Sequence, residues 1–255
     1  MTTQSWQLYH AIDAVVFDCD ATLSQIEGID VLAKANGVAE QVRLLTEQAM
    51  AETGLSGDIY DQRLALVKPT AQQLATLGDE YYAHLTPDVD RVIQALQQLH
   101  KVVYVISAGI QRAVEDFAEH LNIPKENVFA VDVYFDNAGH YSGYETQSPM
   151  TRQRGKREVV EKLKQQHPCI LHIGDGMNDV EAATVVERFV GYGGAYFRKN
   201  IAALCDFYIT SQSITPLLPL TLTMEEANNL NAAGKKAYEQ GLYHIENGEV
   251  LIKLQ

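Results

Sequence analysis

The sequence predicts an α/β fold, a doubly wound parallel sheet of the Rossmann-like type with an inserted helical cap. Three apolar, β-branched runs end at polar residues, and they occupy residues 11–18, 101–107 and 169–175. Such runs are typical of strands that are buried on both faces of a parallel sheet. Strand and helix patterns alternate from about residue 87 to residue 210, which is the order expected of a doubly wound sheet.

The other helices and strands of the alternating region are also predicted from their sequence patterns. The clearest helix places five apolar residues on one face, namely Val89, Val92, Ile93, Leu96 and Leu99. The predicted elements are helices over residues 88–99, 109–121 and 156–166, short strands over 188–193 and 205–210, and a hairpin over 132–144. The hairpin is indicated by Asn137-Ala138-Gly139 near its middle.

Residues 24–86 interrupt the alternation and contain no convincing strand. Four helical segments are predicted there, over residues 26–36, 39–50, 57–67 and 70–84. Because this block follows the first strand directly, we expect it to cover the carboxyl edge of the sheet. Ligands bind at that edge in open α/β sheets.

The segment after residue 210 changes character. It begins with a Pro-interrupted run, continues with a weakly amphipathic helix over residues 223–241, and ends in the strand-like EVLIKLQ. Three roles are open to it: covering the core, extending the edge of the sheet, or forming a homodimer. The chain therefore divides into a core of residues 11–23 and 87–210, a cap of residues 24–86 and an extension of residues 211–255.

Charge and composition exclude several classes of partner. The net charge of −13 opposes binding to nucleic acids and to anionic membranes, but it leaves a small phosphorylated metabolite allowed. The three cysteines show no disulfide or zinc spacing, which favours a reducing compartment. We find no signal peptide and no membrane-spanning run, and so we expect a cytoplasmic protein.

The first chemical motif is Asp18-Cys19-Asp20-Ala21-Thr22, directly after the first strand. Two carboxylates at this spacing suit a hard divalent cation such as Mg²⁺. One of them can attack phosphorus while the other transfers protons. Taken alone, the motif also fits a polar turn capped by an aspartate.

The second motif is Gly174-Asp175-Gly176-Met177-Asn178-Asp179, after the third strand. Asp175 stands where a further metal ligand can meet Asp18, and Asp179 can orient a metal-bound water or a lysine. The competing interpretation is a strand-to-helix turn capped by Asn178 or Asp179.

Two single residues complete the set. Ser107 ends the second strand, where its hydroxyl and the N–H groups that follow can hold a phosphate. Lys156 begins a helix and can neutralise a phosphoryl group during transfer. Taken singly, Ser107 fits an ordinary helix cap and Lys156 fits a surface charge.

Together, these motifs resemble the haloacid dehalogenase superfamily of phosphatases. The resemblance extends to its phosphoserine phosphatase family and covers about residues 12–210. It is carried by the segments FDCDATL, EGIDVLAKANGV, RLALVKP, HLTP, VISAG, LNIPKENVFA, IGDGMNDVEA and VGYGG.

The resemblance implies a magnesium-dependent phosphatase that forms a phospho-aspartate. It implies Asp18 as nucleophile and Asp20 as general acid and base. The implied metal ligands are Asp18, Asp175 and the main-chain carbonyl of Asp20, with Asp179 supporting the metal and the lysine. The implied phosphate-binding residues are Ser107, Ala108, Gly109, Lys156 and Asn178; the implied substrate-binding residues are Glu27, Met50, Arg63 and Arg198.

Three positions depart from the family pattern. Ser56 stands where an aromatic residue is usual, Ala108 replaces a glycine, and Asn178 replaces a frequent threonine. O-phospho-L-serine is the substrate that the resemblance implies. A phosphatase or phosphotransferase for another small phosphorylated metabolite remains the alternative, followed by a non-catalytic protein that binds such a metabolite.

Overall fold

The computed structural model describes residues 6–52 and 57–253, with the backbone alone for residues 47–52 and 57. The strands are β1 (Ala14–Phe17), β2 (Val102–Ile110), β3 (Val128–Val131), β4 (Val133–Phe135), β5 (Tyr141–Tyr144), β6 (Ile170–Gly174), β7 (Arg188–Tyr192), β8 (Phe207–Ile209) and β9 (Val250–Ile252). Seven of them form one sheet in the order β3-β2-β1-β6-β7-β8-β9, and β4 pairs with β5 in the predicted hairpin.

The helices lie between these strands. They are α1 (Gly28–Ala35), α2 (Ala39–Glu52), α3 (Gly57–Val67), α4 (Ala71–Ala83), α5 (Val89–Gln98), α6 (Gln111–His120), α7 (Gly155–Leu163), α8 (Met177–Val180), α9 (Lys199–Leu204), α10 (Leu217–Thr221), α11 (Met224–Asn229) and α12 (Ala232–Glu246). In the part of the chain that the structure describes, no helix combines the length and apolarity needed to cross a bilayer.

Strand β1 lies inside the sheet between β2 and β6, and its four residues are all buried. Ala14 pairs in parallel with Val102 of β2 on one side and with Ile170 of β6 on the other. The predicted parallel α/β sheet is confirmed, with β9 as its one antiparallel strand. Because β1, β2 and β6 are neighbours and parallel, their carboxyl ends meet at the same edge of the sheet.

Helices α1 to α4, which we call the cap helices, leave the core after β1 and return to it before α5. The two connecting segments lie side by side: the Gln25 N–H donates to His84 O (2.9 Å), and the Thr86 N–H donates to Leu23 O (3.0 Å). Three of the four helices fall within the segments predicted to be helical, and α2 continues two residues past the predicted end at residue 50. Thr70 and Gln73 begin α4 with a reciprocal capping box, which satisfies two N–H groups at its start.

One helix starts later than the sequence pattern predicted. Strand β2 continues to Ile110, and α6 begins at Gln111 instead of residue 109. The Gln111 side chain holds the extended end of β2 against β3, since its amide donates to Val128 O (3.1 Å) and accepts from the Ala130 N–H (2.6 Å).

The segment after residue 210 packs onto the core. It forms two helices, α11 and α12, where one was predicted, because Leu230 is extended and Asn231 caps a new helix by accepting from the Gly234 N–H. Its β9 extends the edge of the sheet by pairing with β8. Its fully buried apolar side chains are Ile214, Leu217, Leu218, Leu220, Leu222 and Ala237. Of the three roles considered, this segment both covers the core and extends the sheet.

Candidate active site

The site begins at the carboxyl ends of β2, β1 and β6, which are neighbours in the sheet. Asp18 follows β1, and its N–H donates to Ile173 O in β6 (2.9 Å). Asp175 follows β6, and Ser107 lies near the end of β2. All three are buried side chains. The topology therefore brings together three residues that are far apart in sequence, as the strand patterns predicted.

Lys156 joins two of the carboxylates. Its ammonium lies 2.7 Å from Asp18 Oδ1 and 2.7 Å from Asp179 Oδ1, and its side chain is 2% exposed. Burial alone would lower the pKa of Lys156, but Asp179 and Asp18 raise it above its ordinary value. Lys156 is thus a buried cation facing Asp18, which excludes the interpretation as a surface charge.

Asp179 is the anchor of this group. Its Oδ1 also contacts His172 Nε2 (2.8 Å), and its Oδ2 accepts from the Gly176 N–H (3.1 Å). Burial alone would raise the pKa of Asp179, but Lys156 and His172 hold it below the ordinary value, so the group is a carboxylate. A Cβ at Gly174 would lie 2.1 Å from the Asp179 carboxyl carbon, so glycine is needed there.

The Asp20 carboxyl points toward the cap helices. Its Oδ1 accepts from the Gly28 N–H (2.7 Å) and from the Tyr81 hydroxyl (2.8 Å). Its Oδ2 accepts from the Ser107 hydroxyl (3.1 Å). The two carboxyls of the first motif therefore have separate environments: Asp18 faces a cation, and Asp20 faces neutral donors.

Ser107 is not a helix cap. Its hydroxyl oxygen accepts from the Gly109 N–H (2.8 Å), and the following helix begins only at Gln111. Ala108, Gly109 and Asn178 line the same cavity. This leaves a hydroxyl and main-chain groups beside Asp18 and Asp20, an arrangement that can bind phosphate.

The carboxylates fit a divalent cation. Oxygens of Asp18, Asp175 and Asp179 all lie within 4.8 Å of one another, and all three residues are buried. Burial raises the pKa of Asp18, and it raises the pKa of Asp175 to about 6 against the effect of Arg198. A hard cation would relieve this concentration of charge and supply the oxygen coordination it prefers. The Asp20 carboxyl is engaged elsewhere, which leaves its main-chain carbonyl as the implied ligand.

The motifs open into a cavity of about 940 Å³ between the sheet edge and the cap helices. From the cap helices and their connections it is lined by Glu27, Tyr60, Arg63 and Tyr81. Arg198 lies opposite, 2.7 Å from Asp175 and 3.6 Å from Glu27. Burial, with Asp20 and Asp175 nearby, raises the pKa of Glu27 to about 8.

Comparison with known proteins agrees with this arrangement. Residues 12–186 match the family described as haloacid dehalogenase-like hydrolases. The chain belongs to this family. It is 38% identical over 205 residues to the phosphoserine phosphatase of Bos taurus, covering 80% of this chain and 91% of that protein. It is 37% identical over 206 residues to the phosphoserine phosphatase of Homo sapiens, covering 80% and 92%.

A solved structure supports the fold. A phosphoserine phosphohydrolase-like protein from Francisella tularensis superposes with a TM-score of 0.71 at 22% identity, covering 78% of this chain and 96% of that one. The resemblance to phosphoserine phosphatases and the prediction of a hydrolase of the haloacid dehalogenase type are confirmed. The roles of the individual residues remain predictions.

The structure brings together most residues that the resemblance implied. The cavity is lined by Asp18, Asp20, Glu27, Arg63, Ala108, Gly109, Lys156, Asp175, Asn178 and Arg198, with Ser107 and Asp179 directly behind them. The side chain of Met50 lies outside the described residues, and so does Ser56. Tyr60 lines the cavity and packs on Tyr144, with 5.4 Å between ring centroids.

Two site residues were missed from the sequence. His172 lies inside an apolar strand run and Tyr81 inside a helical run, where both match an ordinary core position. The only sequence feature connected with Tyr81 was Gly28 in the EGID segment, because the absence of a side chain there leaves room for the Tyr81 hydroxyl.

Proposed function

We propose that the protein is a Mg²⁺-dependent phosphomonoesterase that hydrolyses O-phospho-L-serine to L-serine and phosphate through a phospho-aspartate on Asp18. One observation carries the proposal: the buried Asp18 carboxyl faces Lys156, while Asp20 is hydrogen-bonded to Ser107 in the same cavity. This provides a nucleophile, a proton donor and a phosphate site in one cavity. The names of the curated relatives supply the substrate.

The reaction has two steps. An Asp18 oxygen attacks phosphorus, the bond from phosphorus to the serine oxygen breaks, and Asp20 gives its proton to the leaving alkoxide. Asp20, now a carboxylate, then takes a proton from water as the water oxygen attacks phosphorus. The bond to Asp18 breaks, phosphate leaves, and both aspartates return to their starting forms.

Positive and polar groups of the chain offset charge on the transferred phosphoryl group. Lys156 supplies a fixed cation beside Asp18. The Ser107 hydroxyl and the Gly109 N–H, which donate to Asp20 Oδ2 and to Ser107 Oγ in this structure, would turn to the phosphoryl oxygens as donors when substrate binds. Asp18, Asp175 and the Asp20 carbonyl would hold Mg²⁺, which supplies further positive charge to the phosphoryl oxygens when bound.

The remaining charged residues that line the cavity suit an amino acid. Glu27 offers a carboxyl to the substrate ammonium, and a bound ammonium would favour the ionised form of this residue. Arg63 and Arg198 offer guanidinium groups to the substrate carboxylate. Together, these three side chains would distinguish a zwitterion from a simple phosphate ester.

The size of the cavity favours a second candidate, a phosphatase for a larger phosphorylated metabolite. About 940 Å³ lies near the upper end of the roughly 300–1,000 Å³ of small-molecule sites, more than phosphoserine fills. The Asp18 and Asp20 chemistry is the same in both candidates.

Phosphate release distinguishes the candidates. We expect the kcat/KM with Mg²⁺ to be highest for L-phosphoserine among phosphoserine, phosphothreonine, phosphoethanolamine and p-nitrophenyl phosphate. Arg63→Met should raise KM for phosphoserine and leave p-nitrophenyl phosphate unaffected, whereas Arg43→Met, at an exposed cap-helix arginine, should change neither.

Equal turnover of all four esters would contradict the phosphoserine assignment and favour the second candidate. A fall in free phosphate on adding an acceptor alcohol, at unchanged substrate consumption, would identify a phosphotransferase.

A further inference from the structure

Tyr81 is the one residue of the described cap helices whose side chain is hydrogen-bonded to the Asp20 carboxyl. Tyr81 lies on α4 and is 1% exposed. Its ring packs on Phe117 of the core helix α6, with 5.5 Å between ring centroids. Its main-chain carbonyl accepts from the Ser24 hydroxyl (2.8 Å) in the connection that enters the cap. The core helix thus holds the Tyr81 ring, and the connection that enters the cap holds its main chain.

The two oxygens of Asp20 are used differently. Oδ1 accepts from two donors, the Gly28 N–H at 2.7 Å and the Tyr81 hydroxyl at 2.8 Å. A carboxylate oxygen has about two lone-pair sites, so Oδ1 is saturated. Among the described residues, the longer bond from Ser107 (3.1 Å) is the one hydrogen bond that Oδ2 accepts. Oδ2 is therefore the oxygen with a site left for a proton in transfer.

The contact between Gly28 and Tyr81 is tight. A Cβ at Gly28 would lie 2.0 Å from the Tyr81 hydroxyl oxygen. Only glycine at this position lets the hydroxyl and the Gly28 N–H reach the same oxygen of Asp20. The terminal torsion of an aspartate is broad and roughly two-fold, so these donors decide which way the Asp20 carboxyl faces.

We propose that Tyr81 is a positioning residue for the reaction: it holds Asp20 Oδ1, so that Oδ2 faces the phosphate site and carries the transferred proton. Oδ2 lies beside Ser107 and the main chain at Gly109. In the first step the Oδ2–H bond breaks and the proton passes to the leaving alkoxide. In the second step Oδ2 takes a proton from water. This inference rests on the proposed function.

The leaving group provides the test. Serine leaves as a basic alkoxide that needs a proton, whereas p-nitrophenolate leaves without one. We expect Tyr81→Phe to lower kcat/KM for phosphoserine about tenfold, a part of the roughly 10²–10⁴-fold that general acid catalysis supplies. The kcat/KM of Tyr81→Phe for p-nitrophenyl phosphate should stay within about twofold of the wild-type value. This retained activity also demonstrates that the variant folds.

Tyr82→Phe is the matched control, because Tyr82 is the next residue on the same helix, is 43% exposed and stacks on His120. Tyr82→Phe should leave kcat/KM unchanged for both esters. Gly28→Ala, which displaces the Tyr81 hydroxyl, should repeat the selective loss. Unchanged phosphoserine turnover in Tyr81→Phe, or equal losses for both esters, would overturn the inference while the proposed function stands. A wild-type protein inactive toward both esters would overturn the proposed function itself.

Discussion

A fully buried lysine between two carboxylates is the most constrained feature at the scale of single residues. Lys156 contacts Asp18 and Asp179, and Asp179 also contacts the buried His172. The chain therefore pairs its proposed nucleophile with a cation that cannot be solvated. Buried charges of this kind are costly once a partner is removed.

Lys156→Met should abolish phosphate release and destabilise the fold. Removing the cation leaves Asp18 and Asp179 buried without it, which costs about 3–5 kcal/mol in metal-free buffer. Thermal unfolding in EDTA measures the cost. Lys162→Met on the same helix, at an exposed lysine, is the control and should unfold like the wild type. An unchanged Tm for Lys156→Met would refute the buried ion pair.

Glu27 makes stability depend on pH. Its pKa is about 8 in the folded protein, above the ordinary value of 4.5, so the folded state alone keeps this proton between those values. The stability that the proton contributes is complete below pH 4.5 and is lost as the pH rises through 8. Glu27→Gln has no such proton, and so it should gain stability relative to the wild type as the pH rises.

Thermal unfolding in EDTA from pH 5 to pH 9 tests this expectation. The Tm of Glu27→Gln minus that of the wild type should increase up to pH 8 and then level off. A difference of about 1 kcal/mol corresponds to about 2–4 °C in a chain of this size. Glu126→Gln, at an exposed glutamate, should give a constant difference. A constant difference for Glu27→Gln would mean that its carboxyl is not perturbed.

At the scale of elements, the segment after residue 210 is held by a buried ion pair. The Lys101 ammonium, 2% exposed, bonds to Ile12 O and to Glu226 of α11. Glu226 also completes the capping box of α11 with Thr223. The Glu226 carboxylate thus caps the start of α11. Through Lys101 it also joins α11 to Ile12, just before β1.

Glu226→Gln should destabilise the protein by about 2 kcal/mol, because the amide keeps the cap but no longer balances the Lys101 charge. The Tm should fall by about 4–8 °C. Glu225→Gln, at the exposed neighbour on the same helix, is the control. Equal Tm values for the two variants would argue against a structural role for the ion pair.

The structure of the same segment could be predicted only in part from sequence patterns. The strands at Asp18, Ser107 and Asp175 were predictable, because a β-branched apolar run that ends at polar residues is typical of a buried strand. The break between α11 and α12 was not, since Leu230 is a residue type that fits a helix, yet its backbone is extended and its side chain is buried. The antiparallel pairing of β9 with β8 depends on tertiary contacts that no local pattern encodes.

At the scale of the whole molecule, the site is formed jointly by the sheet edge and the cap helices. The sheet edge supplies Asp18, Asp20 and Asp175, and the cap side supplies Glu27 and Arg63. The motif residues could be predicted because carboxylates and a hydroxyl directly follow buried apolar runs, at the edge where open α/β sheets bind ligands. Tyr81 could not, because a tyrosine on a helix is usually core, and its role appears only where α4 meets Gly28.

The proposed mechanism depends above all on Asp18 carrying the phosphoryl group. The most direct test is acid quenching during turnover of ³²P-labelled phosphoserine with Mg²⁺, followed by peptide mapping. We expect the label on the peptide that contains Asp18, and neither label nor phosphate release from Asp18→Asn. Phosphate release without label on Asp18, or activity in Asp18→Asn, would contradict the mechanism.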